Sequence, residues 1–435
     1  MSKEENKSKN ELSRREFLKD AGLVVGGAAI GSLAFLNACS NTKTVVETKT
    51  AAPLTVTNTA TETATATATT TKTAVSTATA TTTSTATVTA PPTSVTMDPY
   101  TIQLGYYNCD HMTAGAIGKD LGLYKTLGMN VNVTGSGNVP TAFTAGQMDV
   151  GYVGVGTIEQ AVVAGAPIIS VADNFLGGSY YLVVSNSIDI TKPWMLLGKK
   201  IAIGDKPEIN NSSWVDMATR LNIPKEGANY QTVTITGDSN KYLALAAGQI
   251  DAYTCCDPWG SMAVYNKVGQ IMATFLDVLE TGKADCCVLS MRKSFPTDHP
   301  DLAKRMVLAH TQALSAMYTH PVKSAVSFSK NYGVPLEVAM MTIYNKTVKE
   351  GRMMTWKSDD LVTRLDNTFA YYKKIGMVAY QTLSPAKNWV DLSLLNACGA
   401  DDFTTFIKTQ VDPVYPLGMA CAFEGGVAGL FPSLP

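Results

Sequence analysis

The sequence predicts an α/β protein of two similar lobes, each a parallel-type sheet flanked by helices, joined by a hinge of two strands. Three observations carry this. A phrase recurs, first as Ala145-Gly146-Gln147-Met148-Asp149-Val150-Gly151-Tyr152 and again as Ala247-Gly248-Gln249-Ile250-Asp251-Ala252-Tyr253. Strand-like and helix-like segments alternate around both copies. Two short apolar segments, 181–184 and 287–289, bracket the second copy and read as strands that cross between the lobes.

Within each phrase the Gly suits the left-handed residue that closes a helix, and the Asp ends the turn before a buried strand. Around the first copy, residues 102–106 alternate like a strand and 114–127 have helical period. Residues 131–133 are extended and 140–145 form a short helix, followed by a helix over 157–164 and a strand over 168–172. The second lobe repeats this with strands at 201–203, 233–235 and 252–254 and helices at 213–221 and 241–247. Beyond the second crossing the chain is mostly helical, over 302–318, 324–332, 336–345 and 360–375, and is expected to pack back on the first lobe.

Residues 1–38 read as an export signal. Ser13-Arg14-Arg15-Glu16-Phe17-Leu18-Lys19 is a twin-arginine motif, followed by an apolar Gly/Ala-rich run over 21–36. Gly22, Gly26, Gly27 and Gly31 weaken that run as a helix, and it is short of the roughly 20 apolar residues a membrane span needs. Leu36-Asn37-Ala38-Cys39 resembles a lipobox, so the mature chain is expected to start at a lipidated Cys39. Thr, Ala, Val, Ser and Pro dominate 42–97, with no aromatic residue. This reads as a disordered stalk spanning ~40 Å end to end. The expected organisation is signal 1–38, anchor and stalk 39–98, first lobe 99–182, second lobe 183–288, helical return 289–378, and an extension 379–435 with no readable role.

Charge excludes one class of partner. Removing residues 1–38 takes away six of the 35 Lys and Arg and five of the 36 Asp and Glu, leaving a balance of 29 against 31. After the signal there is no basic run or basic-aromatic stripe of the kind that binds nucleic acid.

Several short motifs, in this order, resemble the nitrate/sulfonate/taurine-type substrate-binding proteins of ABC importers. They are Leu104-Gly105-Tyr106, Gly122-Leu123-Tyr124-Lys125 before Gly128-Met129-Asn130-Val131, the two Ala-Gly-Gln-x-Asp phrases, Leu197-Gly198-Lys199-Lys200-Ile201-Ala202, and Ile250-Asp251-Ala252 followed by Asp257-Pro258-Trp259. The likeness covers about residues 100 to 378. That family is a branch of the periplasmic-binding-protein type II clamps and includes thiamine-pyrimidine-precursor binders. The resemblance implies a monomer that closes on a small solute and hands it to permease subunits, held at the outer face of the cytoplasmic membrane. It implies no catalysis and no cofactor.

In open α/β sheets the ligand sits outside the carboxyl ends of the strands. That rule selects Tyr107, Asn108, Asp110, His111, Ser136, Asn138, Gly156, Thr157 and Asn174 from the first lobe. From the second it selects Asn211, Ser212, Asp238, Asp257 and Trp259, with Asp257 and Trp259 expected to oppose Asn108, Asp110 and Thr157. Basic residues are scarce, Lys206 and Lys241 being the main candidates. The balance suits a zwitterion, a sulfonate or an amine-bearing heterocycle better than a plain dianion.

Seven of the eight cysteines remain after Cys39, an odd number. Cys109, His111 and the doublets Cys255/Cys256 and Cys286/Cys287 all fall at cleft or hinge positions. Inert buried thiols, a disulfide joining the doublets, and a metal site are all compatible with that placement. Cys398 and Cys421 are a further possible pair. Two other functions share the fold: an enzyme related to the thiamine-pyrimidine synthases, carried by His111 with Cys255 and Cys256, and a metal-binding or sensory clamp.

Overall fold

The computed structural model describes residues 95–419, apart from 108, 136–138, 178–179, 204–210, 276, 279–281, 284 and 358. The segments read as signal, lipid anchor at Cys39 and most of the stalk, together with Cys421, lie outside the described residues. No described helix is long and apolar enough to cross a membrane.

The first sheet has the order β2-β1-β3-β12-β4, formed by β1 (Thr101–Tyr106), β2 (Asn130–Gly135), β3 (Val150–Gly154), β4 (Ile168–Leu176) and β12 (Asp285–Arg292). The second has the order β7-β6-β8-β5-β9, formed by β5 (Tyr180–Ser185), β6 (Lys200–Ala202), β7 (Gln231–Thr232), β8 (Ala252–Cys255) and β9 (Gly269–Phe275). In each sheet three strands run parallel, as predicted: β2-β1-β3 and β7-β6-β8. The rest is antiparallel, because β12 returns to the first sheet between β3 and β4, and β5 enters the second between β8 and β9. Segments 181–184 and 287–289 are therefore ladder strands next to the crossings. The chain changes sheets after Leu176 and again after Phe275, and between Phe275 and Asp285 β10 (Asp277–Val278) pairs antiparallel with β11 (Gly282–Lys283).

The repeated phrase has one structural job in both lobes. Gly146 (φ 67°) and Gly248 (φ 68°) end the preceding helix in the left-handed region. The Asp then ties the third parallel strand to the first. Asp149 Oδ2 accepts the Gln103 amide at 2.9 Å while its own amide donates to Gln103 O at 3.0 Å. Asp251 repeats this on Lys200, at 3.0 Å and 2.8 Å.

Helices α1 (Ala114–Asp120), α2 (Leu123–Thr126), α3 (Val139–Thr144) and α4 (Val155–Val163) belong to the first lobe, and α5 (Ser212–Arg220), α6 (Asp238–Ala246) and α7 (Trp259–Tyr265) to the second. The helix expected over 114–127 is two, broken where Gly122 adopts φ 73°. The strand expected at 233–235 is found two residues earlier, where Gln231 and Thr232 pair with β6. The return consists of α8 (Pro300–Thr319), α9 (Pro321–Tyr332), α10 (Leu336–Tyr344) with a π-helical turn over Asn345–Lys349, and α11 (Leu361–Lys374).

The segment after α11 is part of the first lobe. Trp389 O accepts the Ser170 amide at 2.7 Å and the Asp391 amide donates to Ser170 O at 2.9 Å, so the chain docks along β4. Phe403 and Phe406 pack edge-on against Tyr318. One buried core lies under α8, with Leu104, Ile117, Leu289 and Met306. A second, with Leu182, Trp214, Val288 and Phe369, runs between the lobes.

A Cβ at Gly248 meets no atom within 4 Å, so Gly248→Ala tests backbone conformation alone. The variant is expected to lose about 1 kcal/mol in urea unfolding with an unchanged slope. No loss would show that the helix end relaxes out of the left-handed region.

Candidate functional site

A cavity of about 360 Å³ opens between the lobes at the carboxyl ends of the strands, a volume suited to a small organic molecule. Tyr107 and His111 reach it from the loop after β1, and Gly156 and Thr157 from the start of α4. The second lobe adds Tyr180, Phe275 and, at the start of α5, Ser212 and Ser213. Thr368, Phe369 and Tyr372 come from one face of α11, and Tyr380 from the turn after it. Phe369 stacks on Tyr380 with centroids 5.5 Å apart, and Tyr372 lies 5.1 Å from the same ring. A Cβ at Gly156 would overlap the Tyr380 hydroxyl, so glycine is what admits that ring. No lysine or arginine is among the described lining residues.

The floor is acidic and internally compensated. Asp285, at the start of β12, lines the cavity beside buried Asp173 of β4. Arg364 of α11 holds both, with Nη2 2.8 Å from Asp285 Oδ1 and 3.1 Å from Asp173 Oδ2. Burial, then the charge of Asp285, pushes the Asp173 carboxyl well up.

Beside this floor lies a buried group of thiols around one imidazole. Cys109, His111 and Cys256 have ligand atoms all within 4.8 Å of one another, and so do His111, Cys286 and Cys287. Burial opposes charge on His111, but Cys109, Cys286 and Asp110 together carry its pKa well above the usual value. Burial would raise Cys109, yet hydrogen bonding to Cys256 and the His111 charge hold it below the ordinary thiol range. Hydrogen bonding to Cys109, then burial, push Cys256 up, and its thiol lies 3.1 Å from Asp238 Oδ2. The six described cysteines are thiols. Cys398 donates to Leu395 O within the first lobe.

Of the residues selected from sequence, Tyr107, His111, Gly156, Thr157 and Ser212 line the cavity. Asn108, Ser136, Asn138 and the loop carrying Lys206 lie outside the described residues. The others serve the frame around the cavity. Asn211 caps α5 by accepting the Trp214 amide at 3.0 Å. Asn174 is buried, bonded to His111 O and to Cys287 Sγ. Asp238 is consumed by Lys241, 2.9 Å away, and by the Cys256 amide. Asp257 accepts the Ser261 amide and hydroxyl, both at 2.8 Å, and its backbone oxygen takes the Asp110 amide, a direct bond between lobes. Asp110 itself is fully buried beneath His111. Trp259 packs on Tyr242 within the second lobe. Of the expected opposition of Asp257 and Trp259 to Asn108, Asp110 and Thr157, the backbone contact of Asp257 with Asp110 is present, Asn108 lies outside the described residues, and neither Asp257 nor Trp259 lines the cavity with Thr157.

Sequence reasoning missed Tyr152, Tyr180, Phe275, Phe369, Tyr372, Tyr380 and Asp285. The i, i+3 pair Phe369 and Tyr372 on α11 was legible as part of an apolar stripe, but it reads equally as core.

Two sheets, two crossings and a cavity between them define a two-lobed clamp of the periplasmic-binding-protein type II class. The profile of the NMT1-like family matches residues 95–327, more than half of the chain, and the chain belongs to that family. Among solved structures, the ligand-binding component of an ABC-type import system from Staphylococcus aureus with zinc bound is similar at TM-score 0.57 and 14% identity, over 69% of this chain and 99% of that one. The periplasmic aliphatic sulphonate binding protein SsuA from Escherichia coli has TM-score 0.53 and 15% identity, over 68% and 92%. The desulfurization enzyme DSZB has TM-score 0.52 and 15% identity, over 68% and 98%. At these identities the likeness is one of fold. No curated protein matches the sequence.

Two buried groups give opposed pH dependences. Burial raises the Asp257 pKa to about 6, so from pH ~4 to ~6 the folded chain keeps a proton that the unfolded chain releases, and stability falls as pH rises. Burial lowers His310 to about 4, so over much the same window stability rises with pH. Asp257→Asn removes only the first. Relative to the parent chain, the variant is expected to gain about 3 kcal/mol between those pH values in urea unfolding. Parallel pH profiles would place the Asp257 pKa near that of an ordinary carboxylate.

Proposed function

We propose that this chain is the extracytoplasmic solute-binding component of an ABC importer, closing on a planar, amine-bearing heterocycle and delivering it unchanged to permease subunits. The observation that carries the reading is the cavity between the lobes, walled by aromatic rings from both lobes and from α11, with Asp285 at its floor and no lysine or arginine among its described lining residues. Rings stack on a planar solute face, and hydroxyls of Thr157, Ser212 and Ser213 supply hydrogen bonds for orientation. His111 is the one cationic donor the described lining offers, with no lysine or arginine to join it, so a sulfonate or nitrate ranks below a planar heterocycle. Closure requires only that the solute touch both lobes more favourably in the closed state.

The cellular setting follows from the motifs at the N-terminus. We read the twin-arginine signal and Cys39 as export in the folded state followed by lipid anchoring, and the stalk as the tether that lets a monomeric clamp reach its permease. A second reading, a thiol-dependent enzyme, draws on the Cys109–His111 pair. It ranks lower because Cys109 is fully buried and is not among the cavity-lining residues.

Binding is tested by calorimetry of the purified chain against planar amine-bearing heterocycles, aliphatic sulfonates and nitrate. Heterocycle binding is expected to dominate, and to weaken about tenfold in Tyr107→Ala, roughly 1.4 kcal/mol, with unchanged melting temperature, since Tyr107 is 40% exposed. Binding of sulfonate or nitrate without any heterocycle would overturn the ligand class. Conversion of a bound solute into product would move the assignment to the enzyme reading.

A further inference from the structure

The thiol group beside the cavity is built as a metal site. Its donors come from three separated segments: Cys109 and His111 from the loop after β1, Cys256 from the loop after β8, and Cys286 with Cys287 from β12. Cys109 and Cys256 are at most 1% exposed and His111 is 5% exposed, so water is excluded from the donors. In a tetrahedral zinc site the bond lengths place two sulfurs about 3.8 Å apart, so ligand atoms already within 4.8 Å of each other reach that geometry by small side-chain movements.

The surroundings independently call for a cation. Asp110 Oδ1 lies 3.0 Å from His111 Nδ1, the carboxylate-to-imidazole contact that orients metal-binding histidines and leaves Nε2 with the lone pair. Asp110 Oδ2 and Asn174 Oδ1 are buried next to this group with no hydrogen-bond partner, which is an excess of electron-pair donors.

We propose that Cys109, Cys256 and His111 bind one thiophilic divalent ion of the Zn²⁺ class at the cleft wall, tying the first lobe to the second. Both thiols give up their protons on binding, the one Cys256 shares with Asp238 included, and any proton on His111 Nε2 leaves to solvent with them. Two thiolates and a divalent cation sum to zero, the charge state a buried site accepts at least cost. His111 lines the cavity, so the ion sits against the solute space. The assignment stands whether or not the chain serves an importer.

The test uses the full chain, reduced and stripped of metal. Cobalt(II), as a spectroscopic stand-in for zinc, is expected to bind with thiolate-to-metal charge-transfer absorption and the intense visible bands of a tetrahedral site. Zn²⁺ should abolish both in one equivalent. In competition with a chromophoric chelator, Cys109→Ser and Cys256→Ser should each weaken Zn²⁺ at least 100-fold, while Cys398→Ser leaves affinity unchanged. Absence of the charge-transfer band in the unsubstituted chain would overturn the proposal without relying on variants that fail to fold. So would a band that persists undiminished in folded Cys109→Ser and Cys256→Ser chains, because other thiols, such as Cys286 and Cys287 beside His111, would then be the ligands.

Discussion

Two carboxylates that face each other at the root of the cleft determine how the molecule can be assembled. Asp173 lies near the end of the last strand before the chain first leaves the first lobe, and Asp285 begins the strand on which it comes back. Side by side and buried, they repel, and burial with the charge of Asp285 drives the Asp173 carboxyl up. Arg364 resolves this from α11, after both lobes have been built, with its guanidinium spanning the two. The helical return is therefore no appendage: it closes the charge balance at both crossings and, through Phe369 and Tyr372, lays down one wall of the cavity. The geometry of the solute space and the stability of the hinge share the same residues.

A second set of contacts joins the lobes on the other side of the cleft. The Asp110 amide bonds the Asp257 carbonyl at 2.8 Å. Lys346, fully buried in the π-helical turn after α10, reaches the Tyr181 hydroxyl at 2.7 Å and Glu350 at 2.9 Å, with its ammonium 4.2 Å from the Tyr181 ring centre. Burial alone would lower the Lys346 pKa, but Glu350, Asp110 and Asp257 raise it instead. The charge is held by acidic groups from both lobes.

The doubled lobe was legible because its repeat encodes a backbone requirement: a left-handed glycine and a carboxylate that bonds the neighbouring strand recur 102 positions apart, as at Gly146 and Gly248. The strand-end rule reached Tyr107, His111, Gly156, Thr157 and Ser212 because those loops must face the cleft. It misplaced Asp238, Asp257 and Trp259 because caps, ion pairs and ring stacking at strand ends use the same residue types as ligand binding. Tyr380 and the segment that docks at Trp389 were hidden for a different reason. Short turns carry no period, and their partners, Gly156 and Ser170, lie more than two hundred residues away.

The most direct measurement of the central constraint is a double-mutant cycle on Arg364→Met and Asp285→Asn, read by urea unfolding. If the guanidinium is what permits the paired carboxylates, Arg364→Met alone costs about 3 to 5 kcal/mol and much of that loss disappears when Asp285 is already neutral, a coupling of about 2 kcal/mol or more. Additive effects, within about 0.5 kcal/mol, would contradict the account and leave the hinge resting on its apolar core alone.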